Sequence, residues 1–424
     1  MPESIYTLRA QYFALYPAYL LDIPSPSMLS DRYGQSMLFQ LLLNEEFEDD
    51  DSECEEEEVD PMEKDKDQGY EWDKMHRVLR EVQPEEGYRK QVWRRMIDVL
   101  EKGVAERVRM GDREAEVDGR FYTVVADLMV SSNPSSHAGS SSAPKTSYRT
   151  FIYESPVSFT ASLRRPPKDT RRVTRWITLL EEQIAIQGGT TGLRTWTAAL
   201  HLGHHILHNP RRVFPRRPTR GVIELGAGTG FLSVLLAQLG VNVLSTDLGH
   251  ESETEEVALV DVDPQEVDGE GFRTPLGRLR RNIALNECAE TPSVRALDWT
   301  DARKPPAERP PIWAHLEEAK RTIVAADVIY DPDLVHPLVD AIEVLLGEEE
   351  GMNAVISATI RNTETFNLFL DICEEQGLDT ENIQVPPMDP AKPSFWDSAL
   401  DAGTEVRLLR VTKPHTHPRR KRKT

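Results

Sequence analysis

The chain predicts an α/β protein in which a doubly wound, mostly parallel sheet follows a mainly helical N-terminal region. Three observations carry that reading. From about residue 148 onward, short apolar runs alternate with amphipathic stretches, the order that builds a parallel sheet with helices on both faces. At 222–240 the stretch "VIELGAGTGFLSVLLAQLG" joins a buried strand to an apolar helix through a glycine-rich turn. Before residue 130 the apolar positions recur at helical spacing instead.

The elements follow in order. "YTLRAQYFALYPAYLL" and "QSMLFQLLL" read as short helices with apolar faces. Residues 44–60 then hold twelve acidic and no basic side chains, more than half of the net charge of −21. Such a block repels itself and cannot bury enough apolar area to order, so it is expected to be a disordered acidic insertion. In "YRKQVWRRMIDVLEKGVAERVRM" the residues Val92, Trp93, Met96, Leu100 and Val104 fall near helical spacing, which predicts a core-facing stripe. Residues 131–144 are uncharged and serine-rich, and 131–147 reads as a linker between a helical region over 1–130 and an α/β domain over 148–413.

Beyond the linker, "VTRWITLLEE" and "AIQGGTTG" suggest a strand pair and "TWTAALHLGHHILHN" a helix. Strands are then expected in "GVIELG", "VNVLSTD", "SVRALD", "TIVAADVIY", "NAVISATIR" and "EVRLLRVTK", with helices between them. The tail over 414–424 is basic and reads as exposed.

Composition narrows the class. Hydrophobic residues make up 39% and charged residues 29%, in keeping with a soluble protein that includes some disordered segments. No run approaches the roughly 18–20 apolar residues that span a bilayer, and the first residues lack a basic segment followed by an apolar one, so neither a membrane partner nor a secretory signal is expected. Cys54, Cys288 and Cys373 are too scattered for a disulfide framework or a zinc site, which points to a reducing, cytoplasmic setting. His201, His204, His205 and His208 recur at i, i+3, i+4 and i+7. Without the carboxylate of an H-E-x-x-H motif, they are expected to be partly exposed helix histidines, and no metal site is expected.

The glycine turn suits a dinucleotide, a nucleoside phosphate or S-adenosylmethionine, since each uses close backbone approach at a helix N-terminus. A dinucleotide fingerprint needs a third glycine for close helix packing, and Phe231 stands there. A P-loop needs G-K-[ST] after the turn, which is missing. Glu224, just before the glycines, suits a cationic ligand better than a pyrophosphate. Asp247 ends the next strand, where a carboxylate accepts ribose hydroxyls in either ligand class.

The series "ELGAGTG … STD … LDW … ADVIYDP" resembles the class I, seven-strand S-adenosylmethionine-dependent methyltransferases, which implies a Rossmann-like doubly wound sheet. More narrowly, "GGTTGLRTWTAALHL", "LDW", "AADVIYDPD" and "ATIRNTETFNLFL" resemble the lysine methyltransferase family acting on elongation factor 2, over roughly residues 170–413. The acidic stretch 249–271 departs from that pattern and reads as a surface insertion.

The resemblance implies S-adenosylmethionine as cofactor and a protein substrate, elongation factor 2, rather than nucleic acid. It assigns Trp196 to the cofactor pocket wall, Gly226, Ala227 and Gly228 to the methionine end, and Asp247 to the ribose. Asp298 and Trp299 would flank the adenine, and Ala326 would give a backbone contact. Asp327 and Tyr330, from the D-x-x-Y motif of protein-lysine methyltransferases, would line the channel where the lysine meets the methyl group. Arg361 and Asn362 would shape its rim.

Overall fold

Near-continuous apolar runs such as "VIEL" and "AVISAT" are what strands covered on both faces require, and both are fully buried in the computed structural model of the chain. The structure describes residues 3–43, 66–130, 146–163, 171–182, 194–249, 274–401 and 403–414. The acidic block, almost all of the serine-rich linker, "AIQGGTTG", the acidic stretch beyond residue 249 and the tail from 415 lie outside them.

Two compact units form, the first from Met1–Glu154, Val173–Thr178 and Phe395–Ser398. Its helices are α1 (Glu3–Phe13), α2 (Pro26–Leu29), α3 (Arg32–Leu38), α4 (Lys66–Glu81), α5 (Glu86–Arg109) and α6 (Gly119–Val130). The α5 stripe lies where its spacing predicts: Val92, Trp93, Met96 and Leu100 are fully buried, and Val104 half-buried. They pack with Tyr12, Phe39 and Phe121, the last two rings 4.2 Å apart. Residues 395–398 join this unit through a buried ion pair: Arg149 donates to Asp397 at 2.7 Å and to the Ala14 carbonyl at 2.8 Å.

Strands β1 (Thr146–Pro156) and β2 (Arg172–Glu182) form a two-stranded sheet, with α7 (Phe159–Ser162) between them in the chain. The expected strand at 173–182 is thus present, but β1 is the partner it takes. The pattern "TSYRTFIYESP", with Phe151 and Tyr153 buried two apart, is the signal for that strand.

The second unit, Ser155–Arg172, Leu179–Ser394 and Ala399–Thr424, carries the main sheet. In chain order it runs α8 (Thr197–His208), α9 (Pro210–Val213), β3 (Val222–Leu225), α10 (Phe231–Gln238), β4 (Val243–Asp247), α11 (Pro275–Ala284) and β5 (Ser293–Ala296). Then follow α12 (Pro311–Ala319), β6 (Thr322–Ala326), α13 (Pro332–Leu346), β7 (Ala354–Thr359), α14 (Thr363–Glu375), β8 (Asp379–Asn382), α15 (Ser398–Asp401) and β9 (Val406–Thr412). The strand order is β5-β4-β3-β6-β7-β9-β8. Pairing is parallel from β5 to β7, and β9 runs antiparallel to both of its neighbours.

Alternation along each strand sorts its side chains between the two helical layers. Ile223 and Leu225 join Ile323, Ala325 and Ile356 in a core closed by α13 and α14. Glu224, between them in sequence, faces α10 instead, where Ser233 donates to its carboxylate. Among the described residues, no helix is long and apolar enough to cross a membrane.

Candidate active site

Strand β3 lies between β4 and β6, so the loops after β3 and β4 leave on one side and those after β6 and β7 on the other. An open sheet offers a ligand crevice at such a switch point, beyond the C-terminal strand ends. Gly226, Asp247, Asp298 and Asp327 follow or close β3, β4, β5 and β6 along that edge.

The glycine turn is held from both sides. Gly226 has φ +65°, and a Cβ there would stand 2.9 Å from Val328 Cγ1 and 3.4 Å from Trp299 Cζ2, so no larger residue fits without displacement. Gly230 caps α10 at φ +86°, where a Cβ would meet Leu279 Cδ1 at 2.7 Å. Close helix packing is thus supplied one residue before Phe231, whose side chain is buried. Ala227 donates its N–H to the Thr246 carbonyl at 2.9 Å. Asn282 braces the far side by donating to the Thr229 carbonyl at 2.9 Å.

Asp247 ends β4 half-buried, with Oδ2 accepting from the Gly228 N–H at 2.6 Å and Oδ1 from the Leu248 N–H at 2.8 Å. Burial raises its pKa, and the two amide hydrogen bonds oppose that rise. Asp298 caps the short helical turn Trp299–Arg303, its Oδ1 accepting from the Thr300 N–H at 2.9 Å and hydroxyl at 2.7 Å. Trp299 meets the glycine turn at Gly226. Ala326 ends β6 opposite Ser357.

Glu224 is not brought together with this group. Its carboxyl is buried against Ser233, which also exchanges a hydrogen bond with Ser245. Burial pushes its pKa up to about 8, opposed by Ser233 and reinforced by Asp247. Burial thus favours the protonated form, and the carboxyl is engaged by Ser233 of α10 rather than by the glycine turn.

Asp327 is the first residue past β6 and has φ +57°, a left-handed conformation that costs an L-residue roughly 1–2 kcal/mol. Its N–H donates to the Ser357 carbonyl at 2.8 Å, and its carboxylate reaches the end of β7. There Thr359 donates its N–H to Oδ1 and its hydroxyl to Oδ2, both at 3.0 Å. Arg361 adds Nη1 to Oδ1 at 3.4 Å and Nη2 to Oδ2 at 3.0 Å. The same guanidinium lies over the Trp196 ring, 4.6 Å from its centroid. Trp196, Arg361 and Asp327 therefore form one stack. Tyr330 stands three residues on with 43% of its surface exposed.

Sequence reasoning missed Thr359, Ser233 and Ser245. The signal for Thr359 was the adjacency of β6 and β7: with Ala326 opposite Ser357, the residues just beyond each strand end must meet.

The histidines differ from expectation, since His204 and His205 are buried rather than partly exposed. His204 Nδ1 and His208 Nε2 both lie 3.0 Å from the Ser394 hydroxyl. Burial lowers His201 and His204 to about 4 and His205 to about 3, with neighbouring histidines adding to the shift for the last two. Among the described residues, no group of three or more His, Cys, Asp or Glu side chains is arranged to hold a metal ion.

A sheet whose strands, counted from β3, run third, second, first, fourth, fifth, seventh, sixth, with the seventh antiparallel, is the class I methyltransferase fold. No protein-family profile matches the chain. Curated relatives do. The protein-lysine N-methyltransferase EFM3 of Chaetomium thermophilum is 30% identical over 245 residues, 56% of this chain and 62% of that one. EFM3 of Saccharomyces cerevisiae is 29% identical over 45% of this chain and 50% of its own length. The protein-lysine N-methyltransferase EEF2KMT of Bos taurus is 28% identical over 49% and 58%. The chain thus spans between half and just over three-fifths of these relatives. The resemblance to lysine methyltransferases read from the motifs is borne out as homology to proteins of that name. Among solved structures, a magnesium protoporphyrin IX methyltransferase from Synechocystis PCC 6803 aligns with 55% of this chain and 88% of its own at 13% identity and a TM-score of 0.29. The fold assignment rests on the strand order, not on that likeness.

Proposed function

We propose that the chain is an S-adenosylmethionine-dependent protein-lysine N-methyltransferase whose substrate is elongation factor 2. The observation that carries this reading is the convergence of Gly228, Asp247 and Trp299 at the switch point, beside the Trp196–Arg361–Asp327 stack. The names of the curated relatives support the lysine and the protein substrate. A cytoplasmic location goes with it.

The donor set fits the cofactor. Asp247 would accept the ribose hydroxyls, Trp299 and Asp298 would flank the adenine, and the Gly226–Gly228 backbone with Ala326 would line the methionine end. Bound there, the cofactor supplies a methyl group already activated on a sulfonium. What the protein contributes is alignment of the incoming amine and exclusion of water. A free lysine of pKa near 10.4 is only about 0.1% neutral at pH 7.4, a deficit of roughly 4 kcal/mol. A desolvated channel lowers that pKa, and Asp327 and Tyr330 would hold the side chain in it.

Melting the protein with S-adenosylmethionine, its demethylated product or NAD tests the cofactor: the first two should raise the melting temperature and NAD should not. Transfer of a labelled methyl group to purified elongation factor 2 tests the substrate. Labelling of a different protein in a cell extract, with elongation factor 2 left unlabelled, would redirect the substrate and leave the chemistry in place.

A further inference from the structure

The stack at the end of β6 has a rigid half and a labile half. Thr359 fixes the Asp327 carboxylate with two hydrogen bonds, and that carboxylate is 4% exposed. Arg361 supplies two more donors from a side chain that is 43% exposed, on the loop between β7 and α14. A carboxylate has about four acceptor positions, so with these four donors in place it has none left for a substrate. Only the arginine end of this pair reaches solvent: the Asp327 carboxylate is buried and the Trp196 ring is partly buried. The exposed Arg361 arm can swing into solvent while Thr359 holds the carboxylate, but a buried charge left without a cation is costly, so the guanidinium leaves only when another cation takes its place.

What its departure leaves is an aromatic ring and a fixed carboxylate that had shared one cation, the chemistry that receives an alkylammonium. We propose that Arg361 is the built-in occupant of this slot, and that the substrate's lysine enters by exchanging with its guanidinium. The inference rests on the lysine methyltransferase reading and adds to it a residue that sets substrate affinity. Exchange keeps a carboxylate and an aromatic ring from standing open to unrelated cations. It also lowers the apparent affinity of every incoming amine by the fraction of time the slot is free.

The test uses the full chain and two small probes, Nα-acetyl-lysine methylamide and its uncharged counterpart Nα-acetyl-norleucine methylamide, titrated by ligand-observed NMR. If Arg361 fills the slot about nine-tenths of the time, Arg361→Ala binds the lysine probe about tenfold more tightly than wild type. The norleucine probe should show no such gain. Arg361→Lys, which still places a cation on Asp327, should stay within about threefold of wild type by the same occupancy argument. Adding Asp327→Asn to Arg361→Ala should remove the gain, because the fixed charge is lost. Equal lysine-probe affinity in wild type and Arg361→Ala, a gain shared by norleucine, or no binding to Arg361→Ala would each overturn the exchange. The melting-temperature shift caused by the demethylated cofactor, read on the same samples, separates the two ideas. An intact shift with flat probe affinities overturns the exchange alone, and an absent shift with the lysine gain kept overturns the methyltransferase reading alone.

Discussion

Asp247 ties the end of β4 to the glycine turn after β3, its Oδ2 accepting the Gly228 N–H at 2.6 Å. One carboxylate therefore shapes the turn and presents the position expected to bind ribose. Asp247→Ala should cost about 1 kcal/mol of stability from the unpaired amides, and tenfold or more in cofactor affinity. Asp247→Asn keeps one acceptor oxygen and should recover part of the stability without the affinity. Calorimetry of the demethylated cofactor on both variants decides the matter; unchanged affinity in Asp247→Ala would make the residue a brace and nothing more.

Gly226→Ala meets two obstacles, a left-handed backbone and the Val328 Cγ1 atom 2.9 Å from the new methyl. The backbone alone should cost roughly 1–2 kcal/mol, and contact with Val328 adds to it. A double-mutant cycle with Val328→Ala separates the two, because removing Val328 relieves the contact and leaves the backbone cost. Strict additivity in the unfolding free energies would show that the two side chains do not meet.

Glu224 ties stability to pH in an uncommon direction for an acid. Burial raises its folded-state pKa to about 8, so between about 4.5 and 8 the folded protein holds a proton that the unfolded chain has lost. The contribution is fully present below pH 4.5 and is lost as pH rises through 8. Glu224→Gln should cancel this dependence, so the stability of wild type relative to the variant should fall from pH 5 to pH 8, by at most about 1.4 kcal/mol per unit. Denaturant unfolding at three pH values measures the slope, and a constant difference would contradict it.

The α8 histidines pull the other way. His201, His204 and His205 have folded-state values of about 4, 4 and 3, below the usual 6.5, because burial disfavours the charged ring. Their contribution is complete above pH 6.5 and is lost as pH falls toward 4. The second unit should therefore lose stability steeply below pH 6. His205→Gln should make that loss shallower by up to about 1.4 kcal/mol per pH unit. Equal acid slopes for the two proteins in thermal melts would remove His205 from the explanation.

The central sheet was legible because β3, β6 and β7 are buried on both faces and so read as apolar runs, and because Asp247 and Asp327 mark where β4 and β6 end. Strand β8 was not legible. Its sequence "DTEN" has neither an apolar run nor alternation, and it pairs on one side only, with β9. Helix α4 was overlooked although Met75 and Leu79 are buried four apart, a spacing easily lost beside so long an acidic block. At the site, the residues that end strands could be placed by counting. Which way their side chains turn could not: Glu224 faces α10 because of strand alternation, and Asp327 faces Thr359 because its backbone is left-handed. Both depend on neighbours distant in sequence.

The two outer strands of the main sheet have a consequence for how copies of this chain meet. Strands β5 and β8 are four residues each, and Ser293, Arg295, Asp379 and Glu381 on them are exposed. Glu381 is further committed to Arg410 on the neighbouring strand. A strand arriving from another molecule would find few backbone groups to pair with and charged side chains to desolvate, the devices by which sheet edges resist fibrous self-association. The sheet can thus keep a strongly apolar interior without offering that interior's backbone pattern as a template at its margins.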